Sequence, residues 1–391
     1  MENLHFETLA IRNQTAQTLQ KEHSSPLYLT SSFTFDSAEE GAALFNGDAE
    51  GNLYSRFSNP NCDEFTNKLK VLENTEAGIA TATGMAAVFV TFASLLKAGD
   101  HVVASSAIFG NSLNILKAIL PNYGIEHTLV EVDDNNSWKQ AIKPTTKLLF
   151  VETPSNPTLK LADLTFLGEL SKANQLILVV DNCFATPYLQ QPSNFGADII
   201  VHSATKYIDG QGRVLGGAIL GKQEYIDKCY EFIRRTGPSL SPFNAWVLSK
   251  SLETLALRMD RHCENAVQLY QFLETSEEVE KVIYPHSPNH PQYQLALKQM
   301  KKGGGLVGCE LKGGKERGAR FLNALKIHSL TANLGDSRSI VTHPASTTHS
   351  KLTEEEQLAV GITAGFIRFS VGLEHIDDLI NDIKQALVVS K

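Results

Sequence analysis

The sequence lacks any apolar run long enough to cross a membrane; a clean one, Leu176-Ile177-Leu178-Val179-Val180, has the length of a strand. The first residues, Met1 to Thr15, mix Glu2, His5, Glu7 and Arg12 with apolar residues and so lack the continuous apolar core of an export signal. Both absences predict a cytoplasmic chain with no membrane partner. Positive charge is also short. With 43 acidic against 35 basic residues the net charge is -8, and no clustered basic stretch offers a surface to a phosphate backbone, which argues against a nucleic-acid partner. The five cysteines are odd in number, widely spread and form no Cys-x-x-Cys pair, which suits neither a disulfide framework nor a zinc site. There is no internal repeat, no low-complexity tract, and no G-x-S-x-G elbow for a serine hydrolase.

What is present is an ordinary globular composition, 42% hydrophobic and 20% charged, over 391 residues. That length exceeds what one hydrophobic core comfortably serves, so two domains are expected. Residues 1–60 are weakly periodic and rich in Ser, Thr, Asn and Gly, which predicts an extended arm contacting a neighbouring subunit. Over 61–250, short β-rich runs (His101–Ala104, Leu148–Val151, Leu176–Val180, Ile199–Val201) alternate with helical stretches (Ala86–Leu96, Leu164–Ala173). This predicts an α/β domain with a mostly parallel sheet. Pro242 to Glu274 reads as helical throughout, without interior Gly or Pro. Over 251–391, strands at Leu306–Leu311 and Phe366–Val371 and a helix at Ile376–Val388 predict a smaller α+β domain.

Two motif-like patterns carry little. Gly303, Gly305 and Gly308 fit G-x-G-x-x-G, but they follow a helical segment and lead into a strand, the reverse of a dinucleotide loop. His343 and His349 stand six apart beside Pro344, a spacing that does not put two imidazoles on one helical face, and they read as loop histidines.

The chemistry concentrates at two strand ends. Asp181 closes the run Val179-Val180-Asp181, and Lys206 follows Val201-His202-Ser203-Ala204-Thr205. In open parallel sheets ligands bind beyond the carboxyl ends of strands, where both residues would lie. A lysine serving as a Schiff base must part with its proton, and a carboxylate facing a pyridine nitrogen keeps that nitrogen protonated. Taken singly, Asp181 also reads as a turn or helix cap and Lys206 as a solvated loop residue. Thr83-Gly84-Met85, opening the helix at Ala86, offers backbone N–H groups for a phosphate, although Gly84 also reads as a simple turn. Ser203 and Thr205 add hydroxyl donors beside the lysine. These pieces converge on pyridoxal 5'-phosphate.

In order along the chain stand Tyr54-Ser-Arg56-Phe-Ser-Asn-Pro60, Thr83-Gly-Met-Ala-Ala87, Glu152-Thr-Pro-Ser-Asn156-Pro-Thr158, Asp181-Asn-Cys-Phe-Ala-Thr-Pro187, His202-Ser-Ala-Thr-Lys206-Tyr and His343-Pro-Ala-Ser. With these blocks the chain resembles, over nearly its whole length, the Cys/Met-metabolism family of pyridoxal-phosphate enzymes. The resemblance implies a fold-type I, aminotransferase-like architecture and a homotetramer, a dimer of dimers with shared active sites. It implies that Tyr54 and Arg56 reach the phosphate of the neighbouring subunit, and that Arg368 clamps the substrate α-carboxylate with Asn156 as its helper. A bidentate guanidinium suits that task; the plainer readings are a strand-edge surface charge for Arg368 and a turn residue for Asn156.

Two departures bear on the branch. Phe109 stands where many members carry a tyrosine stacked on the cofactor ring, so stacking is kept and a phenol lost. A carboxylate leaving group (conjugate acid near about 4) departs unprotonated far more readily than a thiolate (about 8.5), which favours an acyl-homoserine substrate. After the lysine, Asp209-Gly210-Gln211-Gly212-Arg213 replaces a Gly-His-x-Asp pattern and looks like the O-succinylhomoserine sulfhydrylase branch. Asn333 takes the place of a serine near the substrate in lyase relatives. The resemblance thus implies γ-replacement on an O-acylhomoserine with sulfide in methionine biosynthesis. Cystathionine γ-synthesis, γ-elimination and a non-catalytic protein on the same fold remain the alternatives. Arg213, seven residues past Lys206, is expected either at the mouth of the site, meeting the distal carboxylate of a succinyl group, or paired with Asp209.

Overall fold

The computed structural model describes residues 4–347, 350, 353–359 and 361–391. Its larger sheet comprises β1 (Ala77–Thr81), β2 (His101–Ser105), β3 (Glu126–Val130), β4 (Thr146–Glu152), β5 (Ile177–Asp181), β6 (Ile199–Ser203) and β7 (Gly217–Gly221), in the spatial order β1-β7-β6-β5-β4-β2-β3. β3, β2, β4, β5 and β6 run parallel, while β7 is antiparallel to both its neighbours. Successive side chains alternate between faces. Val103, Leu149, Val151, Leu178 and Val180 pack under the helix Leu164–Asn174. Val102, Ala104, Leu148, Phe150, Val179, Ile199 and Val201 pack on the other face with the helix Gly84–Leu95. Burial on both faces explains why these strands read as continuous apolar runs.

The arm is less detached than its composition predicts. Residues Phe6–Arg12 form α1, whose Ala10 is buried, and Phe6 meets the Tyr188 ring edge-on at 5.2 Å. A second helix, α2, spans Ala38–Asn46, capped by Ser37, and α3 spans Pro60–Leu72 with Asn59 as its cap. Between α1 and α3 the apolar side chains of Leu19, Leu29 and Phe45 stand exposed.

The smaller sheet is β10-β11-β12-β9-β8, made of β8 (Val279–Ile283), β9 (Leu306–Leu311), β10 (Ser329–Leu330), β11 (Ile340–Thr342) and β12 (Phe366–Ser370). The helix Ile376–Val389 packs against it through Leu379, Ile383 and Ala386. Pro242 to Glu274 is two helices, Pro242–Leu252 and Leu255–Glu274, not one. At the break the Arg258 guanidinium takes the Ser251 carbonyl (2.9 Å) together with those of Tyr207 and Ile208, while Glu253 receives Lys68 and Lys250, each at 3.0 Å. Arg258 thus satisfies the Ser251 carbonyl at the break and ties it to the loop after β6. His343 is buried, bonded to Ser346 Oγ and the Ala364 carbonyl. His349, its companion in the spacing argument, lies outside the described residues.

Candidate active site

Alternation along the parallel strands decides which side chains meet. Glu152 follows Leu148 and Phe150, Asp181 follows Val179, and Ser203 follows Ile199 and Val201, so all three leave the same face at the carboxyl ends of β4, β5 and β6. The helix Gly84–Leu95, α4, begins on that face, capped by Thr83, whose Oγ1 accepts from Ala86 N–H at 3.0 Å. The approach is close enough to demand glycine: a Cβ on Gly84 would lie 2.5 Å from Ser203 Cβ. First-turn N–H groups of a helix have no partner within it, so those of Gly84 and Met85 are available to an anion.

The result is a cleft of about 290 Å³ at the carboxyl ends of these strands. It brings together Thr83, Gly84, Met85, Ser203 and Thr205 on one side with Phe109, Asp181, Lys206, Asn156 and Arg368. Thr205 Oγ1 is already engaged with the backbone of Gly216, accepting its N–H at 3.2 Å. Lys206 Nζ donates to Asn333 Oδ1 at 2.5 Å, and burial, then Arg368, push the amine below its ordinary value, with Cys183 acting the other way. Burial raises Asp181 to about 6, offset in part by Cys183 N–H, which donates to Oδ1 at 3.1 Å, and by His202.

Arg368 is 2% exposed and sits on β12, which is paired on both sides, so it is no strand-edge surface charge. Its Nη1 donates to Asn156 Oδ1 at 2.7 Å and its Nη2 to the Asn333 carbonyl at 3.0 Å, while Nε has no partner among the described residues. Burial lowers it to about 10, with Tyr207 and Glu152 opposing. Asn333, expected near the substrate, thus also holds the lysine directly, with its side chain on Lys206 and its backbone on Arg368.

Arg213 is where the structure departs from the more specific expectation. Its N–H and Nε donate to the buried Asp209 carboxylate at 2.7 and 3.0 Å, and Nη2 reaches Ser251 Oγ, so it closes its own loop and does not line the cleft. The local geometry, a carboxylate four residues earlier on a tight Gly-x-Gly turn, wins over the distant ligand. Arg213→Ala is accordingly expected to leave the preference between succinyl and acetyl esters unchanged and to destabilise the fold by about 1–3 kcal/mol, because the buried Asp209 keeps the backbone N–H of residue 213 but loses the guanidinium. Thermal denaturation and kcat/KM ratios for the two esters test this. Tyr54 and Arg56 also stand apart from the cleft of their own chain. The Arg56 guanidinium bonds the Arg234 carbonyl and lies over the Phe57 ring at 4.7 Å.

Among the titratable residues of the cleft, Glu152 and Cys183 escaped the sequence reading. Glu152 had a signal: it ends the apolar run of β4 as Asp181 ends that of β5. It is 2% exposed, and its Oε2 accepts Phe109 N–H at 2.7 Å.

The donor set fits pyridoxal phosphate, with an amine of lowered basicity, a carboxylate for a ring nitrogen, and a helix N-terminus closed on Ser203 so tightly that no Cβ is admitted at Gly84. The family model described as Cys/Met metabolism PLP-dependent enzyme matches residues 7–388. The chain is 43% identical over 387 residues to an O-succinylhomoserine sulfhydrylase of Pseudomonas aeruginosa, covering 99% of this chain and 96% of that one. It is equally 43% identical over 384 residues to an L-methionine gamma-lyase of Fusobacterium nucleatum subsp. nucleatum, covering 97% of each. Among solved structures, a putative O-acetylhomoserine (thiol)-lyase from Campylobacter jejuni, with N'-pyridoxyl-lysine-5'-monophosphate, superposes with a TM-score of 0.95 at 36% identity, covering 98% of this chain and all of that one.

Proposed function

This chain belongs to the Cys/Met-metabolism family of pyridoxal-phosphate-dependent enzymes, and from that premise we propose that it exchanges the succinate of O-succinylhomoserine for hydrosulfide, giving homocysteine for methionine biosynthesis. The observation that carries the choice is Phe109 in the cleft wall. It offers a ring face without a phenol to protonate a leaving thiolate, and a carboxylate needs no such help. The loop Asp209–Arg213 and the relatives in Pseudomonas aeruginosa and Mycobacterium tuberculosis support the same reading.

Pyridoxal phosphate, when bound, supplies the electron sink that makes the protons on the amino-bearing carbon and on its neighbour removable. The chain's own residues do the rest. Gly84 and Met85 N–H, with Ser203 and Thr205, hold the phosphate; Tyr54 and Arg56 complete that cradle from the neighbouring subunit of a dimer, two of which form a cytoplasmic homotetramer. Asp181 would face the ring nitrogen. Arg368, steadied by Asn156, would take the substrate α-carboxylate. Lys206 would anchor the cofactor covalently, and its Nζ would take protons from Cα and Cβ as succinate leaves Cγ, then return protons once hydrosulfide has added at that carbon.

The reading is tested by giving the purified protein O-succinylhomoserine or O-acetylhomoserine, each with sulfide or cysteine, and quantifying homocysteine, cystathionine and α-keto acid separately. Homocysteine from the succinyl ester and sulfide is the expected main product. Cystathionine as the main product would establish the synthase instead, and α-keto acid with ammonia the γ-lyase, the activity for which the equally similar Fusobacterium relatives are named.

A further inference from the structure

Two carboxyl groups stand side by side in the wall of the cleft. Glu152 and Asp181 are partner positions in the parallel ladder of β4 and β5, so their side chains leave one face of the sheet about 5 Å apart. Neighbouring carboxyls shielded from water do not both ionise. Their surroundings differ in a way that selects which one keeps the charge. Asp181 accepts the Cys183 N–H and has His202 nearby. Glu152 has Phe109 N–H on Oε2, but its Oε1 is buried without a partner among the described residues. An ionised oxygen without a hydrogen bond in so poorly polarisable a setting costs more than a neutral one.

We propose that Glu152 works as a neutral carboxylic acid, leaving Asp181 to supply the carboxylate charge beside the cofactor. The consequence falls on Arg368. An ionised Glu152 would compete with the substrate for the guanidinium charge; a neutral one leaves that charge uncancelled for the α-carboxylate. Burial first, and Asp181 second, push Glu152 well above the ordinary carboxylate range, against the N–H groups of Phe109 and Asn156 and the charge of Arg368. The groups facing this carboxyl are Asp181 from β5, Cys183 just beyond it, Lys206 beyond β6 and Arg368 from β12. The inference rests on cofactor and substrate occupying this cleft, but not on which ester or thiol reacts.

Infrared spectroscopy of the cofactor-loaded protein at neutral pH tests it. The wild type is expected to show the carbonyl stretch of a protonated carboxylic acid, and Glu152→Gln to lack it. No such band in the wild type, or a band untouched by E152Q, overturns the proposal, as does an E152Q chain that fails to fold, because the amide is the nearest uncharged equivalent. Stability provides the second readout. A carboxyl whose folded value is raised binds more protons folded than unfolded, so the wild type loses stability relative to E152Q as pH rises above about 4.3, the ordinary glutamate value. A gap between their melting temperatures that stays constant from about pH 4 to about pH 7 counts against a neutral Glu152. Both readouts are blind to product identity, so this assignment can fail while the proposed reaction stands, and the reverse.

Discussion

Lys206→Ala is expected to cut turnover by roughly 10²–10⁴-fold through lost proton transfer alone, and by more because the covalent anchor goes with it. Nothing else in the cleft replaces this amine. The other cation there, Arg368, is a guanidinium that remains protonated even when burial brings it to about 10. Lys206 differs in kind: burial already weakens its hold on the proton, and Asn333 Oδ1 orients Nζ without taking the proton away. The variant should still bind pyridoxal phosphate through the helix N-terminus at Gly84, but without the absorption of the lysine-linked form, and a small added amine should restore part of the rate. Borohydride reduction of the wild type followed by peptide mapping gives an independent check: a pyridoxyl label on a peptide lacking residue 206 would refute the assignment.

Arg368→Lys is expected to raise KM for the amino-acid substrate with a smaller change in kcat, lowering kcat/KM about ten- to a hundredfold, the equivalent of roughly 1.5–3 kcal/mol for charge-assisted hydrogen bonds. The substitution keeps the charge and removes the fork. In the native cleft one arm of the guanidinium holds Asn156 and another the Asn333 carbonyl, an arrangement that an ammonium cannot reproduce. If KM is unchanged while the protein melts earlier, Arg368 serves the fold and some other group receives the carboxylate.

Much of this site could be read from the chain because its parts follow local rules. Asp181 and Lys206 stand just past apolar strands, and Thr83-Gly84 precedes a helix; each is a short-range pattern with a known geometry. Glu152 gave the same strand-end signal as Asp181, but without a neighbour in sequence to interpret it. A carboxylate at a strand end looks like a cap until one knows that β4 lies beside β5, and that adjacency is fixed by the crossover between them. The reversed β7 is hidden for a similar reason, since Gly217–Gly221 is apolar in either direction. The helix break at Glu253 escaped because Arg258 and Lys68, which make it tolerable, act through contacts in three dimensions. Arg213 shows the converse, with the nearest carboxylate in sequence claiming it ahead of any ligand.

Asn333 gives the cleft a property beyond its contacts one by one. A single residue touches the Lys206 amine with its side chain and the Arg368 guanidinium with its backbone, and the nearby Gly335 lies so close to Tyr207 that a Cβ there would sit 2.7 Å from its backbone nitrogen. The segment is therefore wedged between the two sheets with little slack. A carboxylate drawing on Arg368 would therefore pull on the same residue that accepts the Lys206 hydrogen bond, and the two cations of the cleft would not respond to a ligand independently.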